Sequence, residues 1–265
     1  MNKNRIYPFL MACCAILFLV RCSEEEVQPF TSELGINFVL VDQYGYYQDN
    51  YQNLSTTYNF YPQYLTQGME VARASIRLGV QLEGELPERP VNVRLKALPV
   101  EGYETADLIL PGDSVIAPGE YRRTLTIDCN KPSAFDTEYR NLMTFDYENS
   151  DVVPGTKERQ QYAVIVKDET DWASMSVDNA EEWNKAYAST LGAYGPVKVR
   201  FILAAMGERH ESSYSAIKML YSYTTSYPAY GFQRYLSDLR DALEEYNATH
   251  AQPLAEPDGT PVSFN

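Results

Sequence analysis

Between residues 34 and 170 apolar and polar positions alternate with a period of two. Ala72, Ala74, Ile76, Leu78, Val80 and Leu82 share one parity of the stretch Val71–Leu82, and Val91, Val93, Leu95 and Ala97 do the same over Val91–Ala97. Gly35–Val41, Asp107–Leu110, Tyr121–Cys129 and Tyr162–Val166 read as further strands. Neighbouring strand side chains point to opposite faces, so this period predicts sheets with one face buried and one wet, as in antiparallel pairing. Turn formers separate the runs: Gly84-Glu85-Leu86-Pro87, Pro111-Gly112-Asp113, Ala117-Pro118-Gly119 and Val153-Pro154-Gly155. Short strands at this spacing predict a two-sheet sandwich.

The period changes near residue 175. Asp178 followed by Glu181 has the form of a capping box and opens a helix bearing Trp183, Ala186, Tyr187 and Leu191. Pro196 suits the first position of a helix over Val197–Met206, although Val197, Val199 and Phe201 also alternate as in a strand. Another helix is expected within Ser212–Thr225. The clearest one spans Phe232–Tyr246, with Phe232, Tyr235, Leu236, Leu239, Leu243 and Tyr246 on a single stripe. Pro261–Phe264 reads as an added edge strand. The chain is therefore expected to be α+β and mainly β, an antiparallel sandwich over residues 34–170 followed by a smaller, mostly helical region with an extended tail over residues 171–265.

The amino terminus follows different rules. Lys3 and Arg5 precede Ile6–Val20, a run without charge that is too short for a full-width membrane helix, which needs about 20 apolar residues. Cys22 closes it. This is the layout of an export signal over residues 1–21, and Leu19-Val20-Arg21-Cys22 resembles a bacterial lipobox, with Arg21 where a small residue is usual. Lipidation of Cys22 is the reading adopted; plain secretion and an uncleaved anchor are its alternatives. Ser23-Glu24-Glu25-Glu26 resembles the surface-export signal of Bacteroidetes lipoproteins, so residues 22–33 form an acidic tether on the outer membrane. Two or more acyl chains on one cysteine suffice for a stable anchor.

Charge narrows the partners. The chain carries 36 acidic and 22 basic residues, a formal charge of −14. Cleavage after Arg21 removes Lys3, Arg5 and Arg21 and no acid, which takes the charge to about −17. Nucleic-acid binding is dominated by Lys and Arg contacts to phosphate, so it is excluded on this balance. With Cys13 and Cys14 in the signal and Cys22 lipidated, Cys129 stands alone and no internal disulfide forms.

The carboxyl-terminal motifs carry a family resemblance. Leu191-Gly192-Ala193-Tyr194-Gly195-Pro196-Val197-Lys198-Val199-Arg200-Phe201-Ile202 with Gly207 is one part. Ala242-Leu243-Glu244-Glu245-Tyr246-Asn247-Ala248 leading to Pro253-Leu254 and Asp258-Gly259-Thr260-Pro261-Val262-Ser263-Phe264 is the other. Together with Gly35-Ile36-Asn37-Phe38 and Pro118-Gly119-Glu120, they are similar to the Bacteroidetes lipoprotein family called domain of unknown function 4843. That resemblance implies an immunoglobulin-like sandwich ahead of a helical region, and a neighbourhood of Sus-type outer-membrane transporters and surface lipoproteins. The family has no established catalytic residues, so none is carried over.

The residues themselves offer little for catalysis. His210 and His250 lie forty positions apart outside any zinc spacing, and no Gly-x-Ser-x-Gly elbow, phosphate loop or dinucleotide fingerprint occurs. Only Trp172 and Trp183 are available to line a sugar cleft. Loop aspartates (Asp168, Asp171 and Asp178, or Asp146 with Asp151) could donate oxygens to calcium, but without an EF-hand ladder. No cofactor, metal or catalytic residue is assigned.

Tyrosine stands out, with 22 against 10 Phe and 2 Trp. Tyr44, Tyr46, Tyr47, Tyr51, Tyr58, Tyr61 and Tyr64 crowd a segment rich in Gln and Asn. Tyrosine joins a broad apolar face to a hydroxyl at low ordering cost, which suits a glycan or protein-binding surface; the competing reading places these rings on sheet faces and at the joint between regions. Asp113-Ser114-Val115 resembles the short O-glycosylation motif of exported Bacteroidetes proteins, which makes Ser114 a candidate acceptor. The expected function is a non-enzymatic surface lipoprotein that binds a glycan or peptide nutrient or joins an outer-membrane transporter complex. A structural or adhesive module presenting its helices to another protein is the alternative.

Overall fold

The computed structural model describes residues 33–42, 44–48, 53–210 and 232–265. Twelve strands occur among them. They are β1 (Gly35–Val41), β2 (Tyr47–Gln48), β3 (Ser55–Asn59), β4 (Arg73–Glu83), β5 (Val91–Val93), β6 (Leu95–Pro99), β7 (Leu108–Ile109), β8 (Ser114–Ile116), β9 (Arg122–Asn130), β10 (Glu138–Phe145), β11 (Val153–Pro154) and β12 (Tyr162–Lys167). One sheet has the order β11-β1-β4-β9-β7, with β2 paired to the far end of β1; a second has the order β3-β12-β10-β6. β5 and β8 form a separate ribbon. Pairing is antiparallel except for β1 with β11 and β3 with β12, which run parallel.

The two main sheets face each other across the predicted inward parity. Ala74, Ile76, Leu78, Val80 and Leu82 of β4 are buried, as are Leu125, Ile127 and Cys129 of β9. Across the gap, Phe38 of β1 stacks on Phe145 of β10 with ring centroids 4.2 Å apart. Each such ring withdraws enough apolar surface to stabilise the fold by roughly 2–3 kcal/mol. The protein is thus an immunoglobulin-like β-sandwich with a helical carboxyl-terminal region.

Besides the short strands β2, β3, β8 and β11, which the period did not single out, two further parts of the strand pattern differ from expectation. The run Val91–Ala97 breaks at Arg94, where β5 leaves to pair with β8 while β6 joins β10. Arg94 holds the corner, its N–H donating to Ser150 Oγ (2.9 Å) and its Nε to Asp113 Oδ1 (2.6 Å). β10 escapes the hydrophobic pattern because Asn141 occupies an inward position. There its Oδ1 accepts the N–H of Ala106 at 2.9 Å, which makes a buried amide tolerable.

Four α-helices are described: α1 (Tyr64–Gln67), α2 (Ala180–Leu191), α3 (Pro196–His210) and α4 (Phe232–Thr249). The cap of α2 is Asn179 rather than Asp178, with its Oδ1 accepting the N–H groups of Glu181 and Glu182 at 3.0 and 3.1 Å. Trp183, Tyr187 and Leu191, four residues apart, form its buried face. α3 is buried on nearly every side, from Val197 and Val199 through Phe201 to Met206. That is why its sequence could be read at either period. Leu236, Leu239, Ala242 and Leu243 bury the α4 stripe. The tail forms no edge strand; a single bridge joins Ala255 to Pro261, and Leu254, Val262 and Phe264 enter the core. The helix expected within residues 212–225 lies outside the described residues, as do Cys22 and Tyr51.

Candidate functional site

β1 passes through a tight hairpin into β2, and Asp42 organises that turn. Its N–H donates to the Tyr46 carbonyl and its own carbonyl accepts from Gly45, both at 3.0 Å. Its Oδ1 accepts the N–H groups of Tyr44 and Tyr46, each at 2.9 Å. Gly45 sits at φ +91°, a conformation costly for any residue with a Cβ. This frame holds Tyr44 and Tyr46 in water, 75% and 71% exposed.

Beyond the turn, Tyr47 lies over the outer face of the first sheet, its hydroxyl 3.2 Å from Thr124 Oγ1. The Arg122 guanidinium is 5.4 Å from the Tyr47 ring centre and 5.2 Å from that of Tyr121, which is itself half exposed. Arg122 Nε donates to Gln81 Oε1 at 2.8 Å. Tyrosine faces, a planar guanidinium and a planar amide thus adjoin one another on one surface. Such groups can stack on an apolar ring face and donate hydrogen bonds at its edge.

Tyr58, Tyr61 and Tyr64 of the predicted cluster do not belong to that surface. Tyr61 and Tyr64 are buried and Tyr58 is half-buried against Phe60. Asn59 draws the chain inward: its Nδ2 donates to the Glu169 carbonyl (2.9 Å) and its Oδ1 accepts from the Glu169 N–H (3.0 Å). The polar residues that suggested a surface segment are here used to fasten it.

Tyr61 and Tyr64 instead line a buried ionic joint. Arg200 of α3 and Asp168 after β12 are both fully buried. Arg200 Nε donates to Asp168 Oδ1 at 2.8 Å, and Nη1 donates to the Pro196 carbonyl at 2.8 Å. The Tyr64 hydroxyl donates to Asp168 Oδ2 at 2.8 Å, and burial followed by the Asp168 charge pushes its pKa far up. The guanidinium packs 4.2 Å from the Phe135 ring centre. Asp168 is therefore committed to Arg200 rather than to a calcium ion, and Asp171 caps the turn Trp172–Met175 by accepting from Ser174. Asp146 pairs with Lys96 (2.8 Å) and Asp151 accepts from Asn92 (3.0 Å). Among the described residues no group of three or more His, Cys, Asp or Glu side chains is placed to share a metal ion.

A cleft of about 720 Å³ lies between residues 65–70, α3 and α4. Phe201, Ala204, Ala205 and Ala242 are among its apolar lining, and Glu70, Glu245 and His250 among its polar lining. His250 stacks on Tyr246 with centroids 3.7 Å apart, and its Nε2 is 3.5 Å from Glu70 Oε1. Arg209 Nη2 bonds Glu245 Oε2 at 2.9 Å. His210 closes α3, and its side chain lies outside what is described. Ser114 opens β8 partly exposed, opposite Val93. Cys129 is buried, and its thiol is pushed up to about 11 by that burial.

Neither the hairpin geometry nor the Arg200–Asp168 pair was readable from spacing. Asp42 lies two and four residues before the N–H groups it binds, a local signal that could have marked the turn. The partners Asp168 and Arg200 are 32 positions apart with no motif linking them.

No protein-family model matches this chain, and no curated protein does. Among solved structures, the Calx CBD1 domain is 10% identical over 52% of this chain and 99% of its own, with a TM-score of 0.33. A putative carbohydrate binding protein from Bacteroides ovatus is 11% identical over 51% of this chain and 37% of its own, also with a TM-score of 0.33. Another Bacteroides ovatus protein, of unknown function, is 11% identical over 49% of this chain and 43% of its own, with a TM-score of 0.30. Likenesses at this level assign no activity to the chain.

Proposed function

We propose that this chain is a non-enzymatic, surface-displayed lipoprotein, anchored through lipid on Cys22, that binds a glycan on the tyrosine face of its first sheet. The observation that carries the reading is the Asp42 hairpin, which fixes Tyr44 and Tyr46 in solvent through two hydrogen bonds to one carboxylate oxygen. Leaving two aromatic rings in water forgoes roughly 1.5–3 kcal/mol of burial for each. A backbone organised to do so has already met the ordering cost that binding would otherwise incur. A sugar ring offers the complementary chemistry, with C–H groups on its faces and hydroxyls at its rim. The open face suits a polymer better than an enclosed small molecule. The net charge of −14 suits a displayed soluble body.

The test is binding of fluorescently labelled polysaccharides, neutral and acidic, to cells that display the full chain. Tyr44→Ala with Tyr46→Ala should lower binding about tenfold or more, since each stacked ring contributes about 1 kcal/mol. Binding that survives both changes, or no binding to any polysaccharide, ends the glycan reading. Cys22→Ala should move the protein out of the membrane fraction; retention there ends the anchor.

A second reading is favoured by the cleft between α3 and α4. Its apolar floor and volume fit docking of a segment from a neighbouring outer-membrane transport protein. Affinity capture from native membranes would then return that transporter in fixed proportion.

A further inference from the structure

The walls of the cleft between residues 65–70, α3 and α4 are tied to one another. Gly207 lets α1 lie directly on α3, since a Cβ there would run into the Leu65 carbonyl. Backbone rests on backbone at that point, with no side chain between them to adjust. Arg209 Nη2 joins α3 to α4 through Glu245 Oε2 at 2.9 Å. His250, stacked on Tyr246 near the end of α4, stands 3.5 Å from Glu70 Oε1 and so links α4 to the turn at residues 68–70. A cleft joined in this way is largely formed before anything enters it, which lowers the ordering cost of binding. Short side chains keep its centre open, Ala204 and Ala205 from α3 and Ala242 from α4, with Phe201 beside them. The resulting volume of about 720 Å³ falls in the size range of pockets that enclose a compact ligand.

Charge at the cleft selects the occupant. Glu70, Glu208 and Glu245 line it and are exposed, with 83% and 73% of the Glu70 and Glu245 side chains in solvent. Among the described lining residues, the bases set against these three carboxylates are Arg209, which already bonds Glu245, and His250. An apolar floor bordered by excess acid complements apolar side chains set among lysines or arginines, and disfavours the same side chains set among acids. A helix meets that description when apolar residues at i, i+3, i+4 and i+7 face the groove with basic residues beside them. We infer that the segment docked in this cleft is a basic amphipathic helix of a partner protein, its apolar side chains over the alanines and its lysines or arginines at Glu70 and Glu208. This rests on the docking reading of the cleft, stands apart from the glycan reading, and names the chemistry of the partner's segment.

The test uses the full-length protein in nanodiscs of zwitterionic lipid, with empty discs as the blank. Three peptides share one helical pattern of leucines and one photo-cross-linking residue, and they carry Lys, Gln or Glu on their flanks. Fluorescence anisotropy reads the affinity, and mass spectrometry locates the cross-links. The Lys peptide should bind about tenfold more tightly than the Glu peptide and cross-link within residues 65–70, 201–209 or 242–250. Glu70→Gln with Glu208→Gln, two changes at exposed positions, should weaken it about fivefold, the effect of losing two exposed ion pairs. Glu181→Gln with Glu182→Gln makes the same charge change on α2, outside the cleft, and should leave the affinity within about twofold. Equal binding of all three peptides in the cleft overturns the basic inference and leaves the docking reading standing. Lys-peptide affinity that falls as far with the α2 pair as with the cleft pair also overturns it, because total charge then accounts for the binding. No cross-link in the cleft from any of the three peptides overturns both readings.

Discussion

Replacing Arg200 with methionine asks whether the helices are joined to the sandwich electrostatically. Methionine retains much of the stem, so the lost apolar packing is worth about 1 kcal/mol. The larger cost falls on Asp168, which would remain fully buried with the Tyr64 hydroxyl as its remaining named side-chain donor. Removing one partner of a buried ion pair costs about 3–5 kcal/mol, a large part of the roughly 5–15 kcal/mol that holds a domain folded. Urea unfolding followed by tryptophan fluorescence reads this directly. Trp172 packs at a tilt against Tyr194, with ring centroids 4.9 Å apart, and the Tyr194 hydroxyl is 3.1 Å from Thr170 Oγ1 beside the joint. Adding Asp168→Asn removes the stranded charge yet keeps an acceptor for Tyr64, so the double variant should recover about 2 kcal/mol. An Arg200→Met protein within about 1 kcal/mol of the parent, or a double variant no more stable than the single, would falsify the account of Arg200 and Asp168 as a dry, coupled pair.

Glu256→Ala should cost about 1–2 kcal/mol in the same assay, because Glu256 accepts the Val197 and Lys198 N–H groups at 2.9 and 3.0 Å at the start of α3. An unchanged urea midpoint would refute the cap. Gly207→Ala should destabilise by about 1–3 kcal/mol despite the better helix propensity of alanine, since a Cβ there would collide with the Leu65 carbonyl; a stabilised variant would show that α3 and α1 are less closely packed. Cys129 should resist iodoacetamide in the folded protein and react at the rate of unfolding, which mass spectrometry can follow. Burial raises Cys129 from 9.0 to about 11 and Tyr162 from 10.0 to about 12. The folded state therefore holds both protons more tightly than the unfolded chain. Their stabilising contribution is whole below about pH 9 and declines as pH rises through 9–12. Unfolding midpoints that stay flat across that window would contradict it.

The inward parity of β4 and β9 and the stripe of α4 were legible because each packs one face against a continuous core. Periodicity reports that one-sidedness and little else. α3 was ambiguous because it is enclosed all round, and β10 was hidden because Asn141 meets its need for a partner inside the core. Tyr44 and Tyr61 look alike in sequence. What separates them is Asp42 holding one turn outward and Asn59 tying the other inward, and side-chain bonds of that kind leave no period.

The parallel pairing of β3 with β12 also sets a timetable. Among the described residues β3 pairs only with β12, so residues 55–59 have no strand partner until residues 162–167 have been synthesised. Closing a loop of that span costs about 4 kcal/mol in chain entropy before any of the pairing is gained. Such non-local contacts slow folding. A chain delivered from its amino end can therefore pair β6 with β10 early, but β3 is left waiting and the second sheet stays incomplete until β12 has emerged.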